Sequence, residues 1–290
     1  MGSLLRRGCL MPSLKIELVN PPRTEAQTIL ETKALTRRFG TLTAVDRLSV
    51  SVRSGEMFGL VGPNGAGKTT VIKILTTLLA STSGGAWVAG YNVAHQASQV
   101  RRTIGYVPQS LSADGSLTAR ENLLIFTKLY HIPRRDREGR IRDALSFMGL
   151  ADVADKMVRE YSGGMIRRLE IAQSMLHRPR VLFLDEPTVG LDPIARRAVW
   201  EHIQRLRADY GTTILLTTHY MEEADELCNR VAIMHLGKVA AIGTPAELKA
   251  SVGEDATLDD VFVHYSGYEI ELGGNYHEVS RTRRVARRLG

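Results

Sequence analysis

A chain of 290 residues, 43% of them hydrophobic and 24% charged, can bury one large core or a core with a small appendage, and nothing in its composition forces a disordered or targeting class. Its net charge of +7 is modest, and much of the excess arginine lies at the ends (Arg6 and Arg7; Arg281, Arg283, Arg284, Arg287 and Arg288), which reads as a solvated tail or a contact with anionic headgroups. Cys9 and Cys228 offer neither a disulfide framework nor zinc spacing, which suits a reducing compartment, and no run approaches the roughly 18 apolar residues of a membrane helix.

In chain order, a loose opening segment with a possible strand at Leu14 to Val19 closes at Pro21-Pro22. From Thr32 to about Val52 apolar residues tend to alternate, predicting β-rich material that turns at Arg53-Ser54-Gly55 into a strand at Met57 to Val61. Gly62 to Thr70 follows, ahead of a helix through Val71-Ile72-Lys73-Ile74-Leu75. Between Gly105 and Ser162 the spacing becomes helical, with Leu123, Ile125 and Phe126, then Ile141, Leu145 and Met148. A second helix is expected near Met165.

Val181-Leu182-Phe183-Leu184 is an unbroken apolar run ending in carboxylates, as in a strand buried on both faces of a parallel sheet. Asp192-Pro193 supplies a cap and first-turn proline for a helix through about Arg207. Thr212 to Thr217 reads as the next strand, and Val231 to Met234 with Val239 to Ile242 as a hairpin turning at Leu236-Gly237-Lys238. Strands alternating with helices argue for an α/β sheet, with no internal repeat.

The stretch Gly62-Pro63-Asn64-Gly65-Ala66-Gly67-Lys68-Thr69-Thr70 fits the P-loop pattern G-x-x-x-x-G-K-[ST] in its strand-to-helix setting. Its glycines let backbone N–H groups turn around phosphate oxygens, and the helix adds its positive end. Lys68 then reaches the β- and γ-phosphates and Thr69 a Mg²⁺ ion. Asp185, at the end of the second buried strand, can supply the other metal contact, and Glu186 can polarise an attacking water. Tyr161-Ser162-Gly163-Gly164-Met165 opens a helix, so Ser162, Gly163 and Gly164 read either as a plain cap or as a second anion site. One nucleotide does not need two such sites in one chain, so the second would meet ATP held by another copy, head to tail.

Over roughly residues 30 to 265 these elements resemble, in order, the ATP-binding cassette of ABC proteins. Gly62 to Thr70 is similar to Walker A, Gln109 in Tyr106-Val107-Pro108-Gln109 to the Q-loop glutamine, and Ser162 to Met165 to the signature. Val181 to Pro187 is similar to Walker B, Gly190-Leu191-Asp192 to the D-loop, His219 in Thr217-Thr218-His219 to the switch histidine, and Phe39 to the aromatic that stacks on adenine. Two signature positions depart from the usual leucine and glutamine: Tyr161, and Met165, which offers no useful hydrogen bond. Tyr-Ser-Gly-Gly-Met, with Thr218 to Asp225 and Thr257 to Phe262, is similar to the daunorubicin-resistance exporter branch, although Ile166 stands where that branch often has arginine.

The resemblance implies a P-loop NTPase cassette with a RecA-like α/β core, an antiparallel β subdomain and a helical subdomain at about 110–165. Residues 31–245 would form the ATP-binding domain, preceded by a leader over 1–30 and followed by an extension with a basic tail over 246–290. It implies an ATPase that uses ATP and Mg²⁺, with Glu186 as general base, His219 on the γ-phosphate, and Thr69, Gln109 and Asp185 about the metal. Its partners would be a second cassette and a separate membrane permease, placing it peripherally on the cytoplasmic face and exporting a drug-like or lipophilic compound. The alternative is an ABC ATPase acting on nucleic acid or ribosomes. The expected absence of nucleic-acid binding rests on the single cassette and the lack of zinc cysteines.

Overall fold

The computed structural model describes residues 27–266. The expected strand at Leu14 to Val19 and the arginine-rich ends lie outside the described residues. The alternating segment forms β1 (Thr28–Phe39), β2 (Leu42–Leu48) and β3 (Ser51–Arg53), and the apolar run Met57–Val61 forms β4, buried at every position. The glycine turn leads into α1 (Lys68–Leu75), followed by β5 (Ser83–Val88), β6 (Tyr91–Asn92), α2 (Ala97–Thr103) and β7 (Ile104–Val107).

The helical spacing expected from Gly105 onward therefore begins with a strand. Only four residues long and carrying a glycine, β7 has little periodicity to detect. Gly105 is required there by a close approach, since a Cβ would sit 2.5 Å from the Ser174 carbonyl oxygen. The helices proper are α3 (Ala119–Leu129), α4 (Arg134–Phe147) and α5 (Gly163–Met175). Thr118 and Glu121 make a reciprocal capping box that starts α3. Ser162 caps α5, which begins two residues before the expected Met165 because a cap residue precedes the first helical turn.

Then follow β8 (Val181–Asp185), α6 (Pro193–Tyr210), β9 (Thr213–Thr218) and α7 (Met221–Leu227). Asp192 accepts from the backbone of Ile194 and Ala195 to start α6, and Gly211, left-handed at φ 62°, ends it. The chain continues as β10 (Arg230–His235), β11 (Lys238–Gly243), α8 (Pro245–Ala250) and α9 (Leu258–Ser266). Thr28 thus already belongs to the first sheet, and α8 begins at Pro245.

Among the described residues the strands form two sheets. The first is antiparallel, ordered β2-β1-β5-β6 with β3 also on β1. The second runs β11-β10-β4-β9-β8-β7, parallel except for the β10–β11 hairpin. Side chains alternate across the parallel strands. Leu182, Leu184, Leu216 and Val61 pack with α3 to α6 in one core, while Val181, Phe183, Leu215 and Leu60 pack with α1 and the antiparallel sheet in another. Both faces are thus covered, as the continuous apolar runs required. Truncating one of these side chains to alanine costs about 2–5 kcal/mol.

Candidate nucleotide site

The loop after β4 lies at the carboxyl edge of the parallel sheet, where strand ends deliver β8, β9 and their following loops to the same place. It is closely walled. A Cβ on Gly62 would lie 2.2 Å from the Met234 carbonyl oxygen, and one on Gly67, at φ +100°, 2.3 Å from that of Ala44. The Gly237 amide donates to Ala66 O at 3.1 Å, and Gly237 O accepts from Asp46 N at 2.8 Å. Gly67 caps α1 without a side chain, leaving the helix's first N–H groups for an anion.

Lys68 is buried, and its Nζ donates to Gly62 O at 2.7 Å and Pro63 O at 3.0 Å, while lying 3.3 Å from Glu186 Oε1. Burial lowers its pKa, an effect opposed by Glu186 and Asp185. Thr69 Oγ1 donates to Asp185 Oδ1 at 3.0 Å, and Thr217 Oγ1 to the same oxygen at 2.6 Å. These hard oxygens beside a phosphate cradle fit a Mg²⁺ ion that takes one or two protein ligands and completes its shell with phosphate and water.

Glu186 is left-handed at φ 48°, an uncommon conformation for a non-glycine residue, and its amide is shared between Thr217 O and Oγ1 at 3.1 and 3.0 Å. Its Oε2 accepts from Gln109 Nε2 at 3.1 Å. His219 Nδ1 lies 3.3 Å from that oxygen but outside hydrogen-bond geometry. The fold therefore gathers Lys68, Thr69, Gln109, Asp185, Glu186 and His219 into one cluster.

Other predicted residues stand apart. Ser162 accepts from Met165 N at 3.3 Å, and no hydrogen bond among the described residues joins Ser162, Gly163 or Gly164 to the cluster. Gly164 packs on α6, where a Cβ would meet that of Ala195 at 2.8 Å. Phe39 ends β1 as a residue 44% exposed, with the Arg37 guanidinium 4.4 Å from its ring centre. The unusual signature residues have packing roles: Met165 and Ile166 lie against the core, and the Tyr161 hydroxyl donates to Val153 O at 2.7 Å.

Four neighbours escaped sequence reasoning. Thr217 bonds both Asp185 and the Glu186 amide. Tyr106 has its phenol pushed up to about 12 by burial and by Asp185. Arg167 is buried on α5. Glu223 on α7 is sealed from solvent, its Oε1 accepting from Thr188 Oγ1 at 2.8 Å and Trp200 Nε1 at 2.9 Å while Oε2 has no hydrogen-bond partner. Burial pushes its carboxyl up, against the hydrogen bonds and Arg196. Tyr106 and Thr217 stand within the stretches that carry Gln109 and His219, and Glu223 within Thr218 to Asp225, but no motif assigns these contacts.

Residues 45–189 match the family described as ABC transporter. The chain belongs to the ABC transporter family. This ABC subunit is 44% identical over 230 residues to the daunorubicin resistance ATP-binding protein DrrA3 of Streptomyces coeruleorubidus, covering 79% of this chain and 72% of that one. It is 34% identical over 271 residues to the linearmycin resistance ATP-binding protein LnrL of Bacillus subtilis (strain 168), covering 86% and 87%. A solved structure described as that of an ATP binding subunit of an ABC transporter superposes with a TM-score of 0.73 at 31% identity, covering 82% of this chain and 99% of the other. The ABC subunit binds ATP and hydrolyses it in support of transport, and ATP-binding subunits of such transporters work with membrane permeases.

Proposed function

We propose that this subunit powers export of a drug-like or lipophilic compound through a separate membrane protein, with two cassettes closing head to tail over ATP. The observation that carries the sandwich is the division of its anion-binding groups. The Lys68 cluster sits at the sheet edge, whereas the Ser162 end of α5 is bonded to its own helix and packed on α6. A second copy turned to face the first would bring its Ser162, Gly163 and Gly164 onto the phosphates. The substrate class rests on the resistance proteins that the chain is similar to. No described helix is long and apolar enough to cross a membrane, and the partnership with a separate membrane protein would hold the subunit peripherally on the cytoplasmic face.

Within each site, Gly62, Pro63, Asn64, Gly65, Ala66, Gly67 and Thr70 form the cradle and Lys68 turns from its loop carbonyls to the β- and γ-phosphates. Phe39 offers an exposed face for adenine. Thr69 and Asp185, with Gln109 beside them, would hold Mg²⁺, whose charge would offset that developing on the phosphoryl oxygens. Glu186 accepts the proton of the attacking water, with Gln109 fixing its carboxylate and His219 reaching the γ-phosphate.

Sedimentation of Glu186→Gln with and without Mg-ATP tests this reading. ATP-dependent dimerisation is expected because hydrolysis no longer reopens the sandwich. A monomer throughout, together with parent-like turnover, would remove both the sandwich and the base.

A further inference from the structure

Arg167 heads the fully buried side chains by volume among the described residues, and it lies on α5 little more than one turn beyond Ser162. Its Nη1 donates to Pro108 O at 2.6 Å and to Glu170 Oε2 at 3.0 Å, and its Nη2 to Gln109 O at 2.7 Å. Glu170 Oε1 accepts in turn from the Ser112 amide and, at 3.1 Å, from its hydroxyl. One buried ion pair thus grips the 108–112 loop by two carbonyls, one amide and one hydroxyl.

Apolar residues of similar volume commonly stabilise a core as well as a buried ion pair does, so stability alone is a poor reason for this one. Its hydrogen bonds do what apolar packing cannot: they dictate where the loop backbone sits. The loop's Gln109 side chain reaches Glu186 Oε2 at 3.1 Å, while the helix bearing Arg167 begins at Ser162.

We propose that Arg167, braced by Glu170, is a positioning residue that locks the Gln109 loop to α5, so that Gln109 and the Ser162 end of the helix move as one body. The Gln109 half of this statement needs only one chain. The link to the neighbouring nucleotide rests on the head-to-tail reading above. A displacement at Glu186 then reaches α5 through Gln109 and Arg167 without any repacking of the helical core.

The test uses the full chain, comparing the parent with the double variant Arg167→Met/Glu170→Met, which leaves neither charge unpaired, and with Arg167→Lys. Melting, equilibrium Mg-ATP binding, amide exchange at 109–112 and steady-state kinetics are measured. In the double variant, ATP affinity and KM are expected to stay within about threefold of the parent with melting little changed, while kcat falls at least about tenfold. Exchange at 109–112 should quicken by at least about tenfold while α1 is unaffected. Arg167→Lys should restore part of kcat.

Parent-like exchange and kcat would overturn the proposal, as would a kcat that falls only in step with melting temperature and ATP affinity, the mark of an ordinary core contact. If the double variant fails to fold, Arg167→Lys carries the test: faster exchange at 109–112 with lowered kcat and intact ATP binding supports the lock, and parent values overturn it. Parent turnover unaffected by Ser162→Arg would sink the head-to-tail reading alone, leaving the Gln109 comparison intact.

Discussion

Lys68 and Glu186 face each other with Nζ 3.3 Å from Oε1, both almost wholly out of water. A buried charge left without its partner is costly, so either side chain constrains what the other can become. Glu186→Gln keeps the shape and an oxygen for Lys68, with Gln109 turning its amide to accept instead of donate, but it cannot take a proton from water. Turnover is expected to fall about 10²–10⁴-fold with ATP binding retained. Phosphate release against ATP titration reads both; a parent rate would refute the base assignment.

Gly67→Ala meets two obstacles at once, a φ of +100° and a Cβ 2.3 Å from Ala44 O. The expected cost is about 2–3 kcal/mol, with the cradle displaced and ATP affinity lost together. Melting and binding should both shift. A variant that melts and binds ATP like the parent would mean that the Ala44 strand gives way freely.

Ser162→Arg puts a bulky cation at the helix start that would face a neighbour's nucleotide. Losing the Met165 cap costs about 1 kcal/mol, a small part of the fold's stability. Single-site ATP binding should persist, while steady-state turnover should drop at least about tenfold. Normal turnover would argue that each cassette works alone.

Glu223 makes a pH prediction with a definite sign. Burial raises its carboxyl above the ordinary 4.5, so the folded chain holds its proton to higher pH than the unfolded chain does. The associated stability is complete below about 4.5 and is lost as pH rises through the raised folded value. Glu223→Gln retains an acceptor for Thr188 and Trp200 yet does not titrate. The melting temperature of this variant minus that of the parent should therefore grow as pH rises above about 4.5 and level off once the folded carboxyl has ionised. A constant difference would show that Glu223 titrates alike in both states.

The parts of the fold legible in sequence are those whose cause is local. Val181 to Leu184 announces a strand because both its faces are buried, and Asp192-Pro193 announces a helix start because cap and proline act within one turn. The Gly67-Lys68-Thr69 turn into α1 is legible because the strand, glycine turn and helix start are made by consecutive residues. β7 is too short for periodicity and depends on Gly105 clearing the end of α5. The grip of Arg167 on Pro108 and Gln109 and the meeting of Glu223 with Thr188 and Trp200 join residues far apart in the chain. Single-sequence patterns carry no signal for such pairings.

The turn between β10 and β11 looks like a harmless place to attach something, since Leu236 is 74% exposed. Yet its next residue, Gly237, is stitched to Ala66 on one side and Asp46 on the other, and Met234 closes against Gly62. An epitope or fluorophore inserted there would pry at the nucleotide loop from behind. For labelling, this corner is a trap: its loudest symptom would be lost ATP binding, in a protein whose motifs were all left untouched.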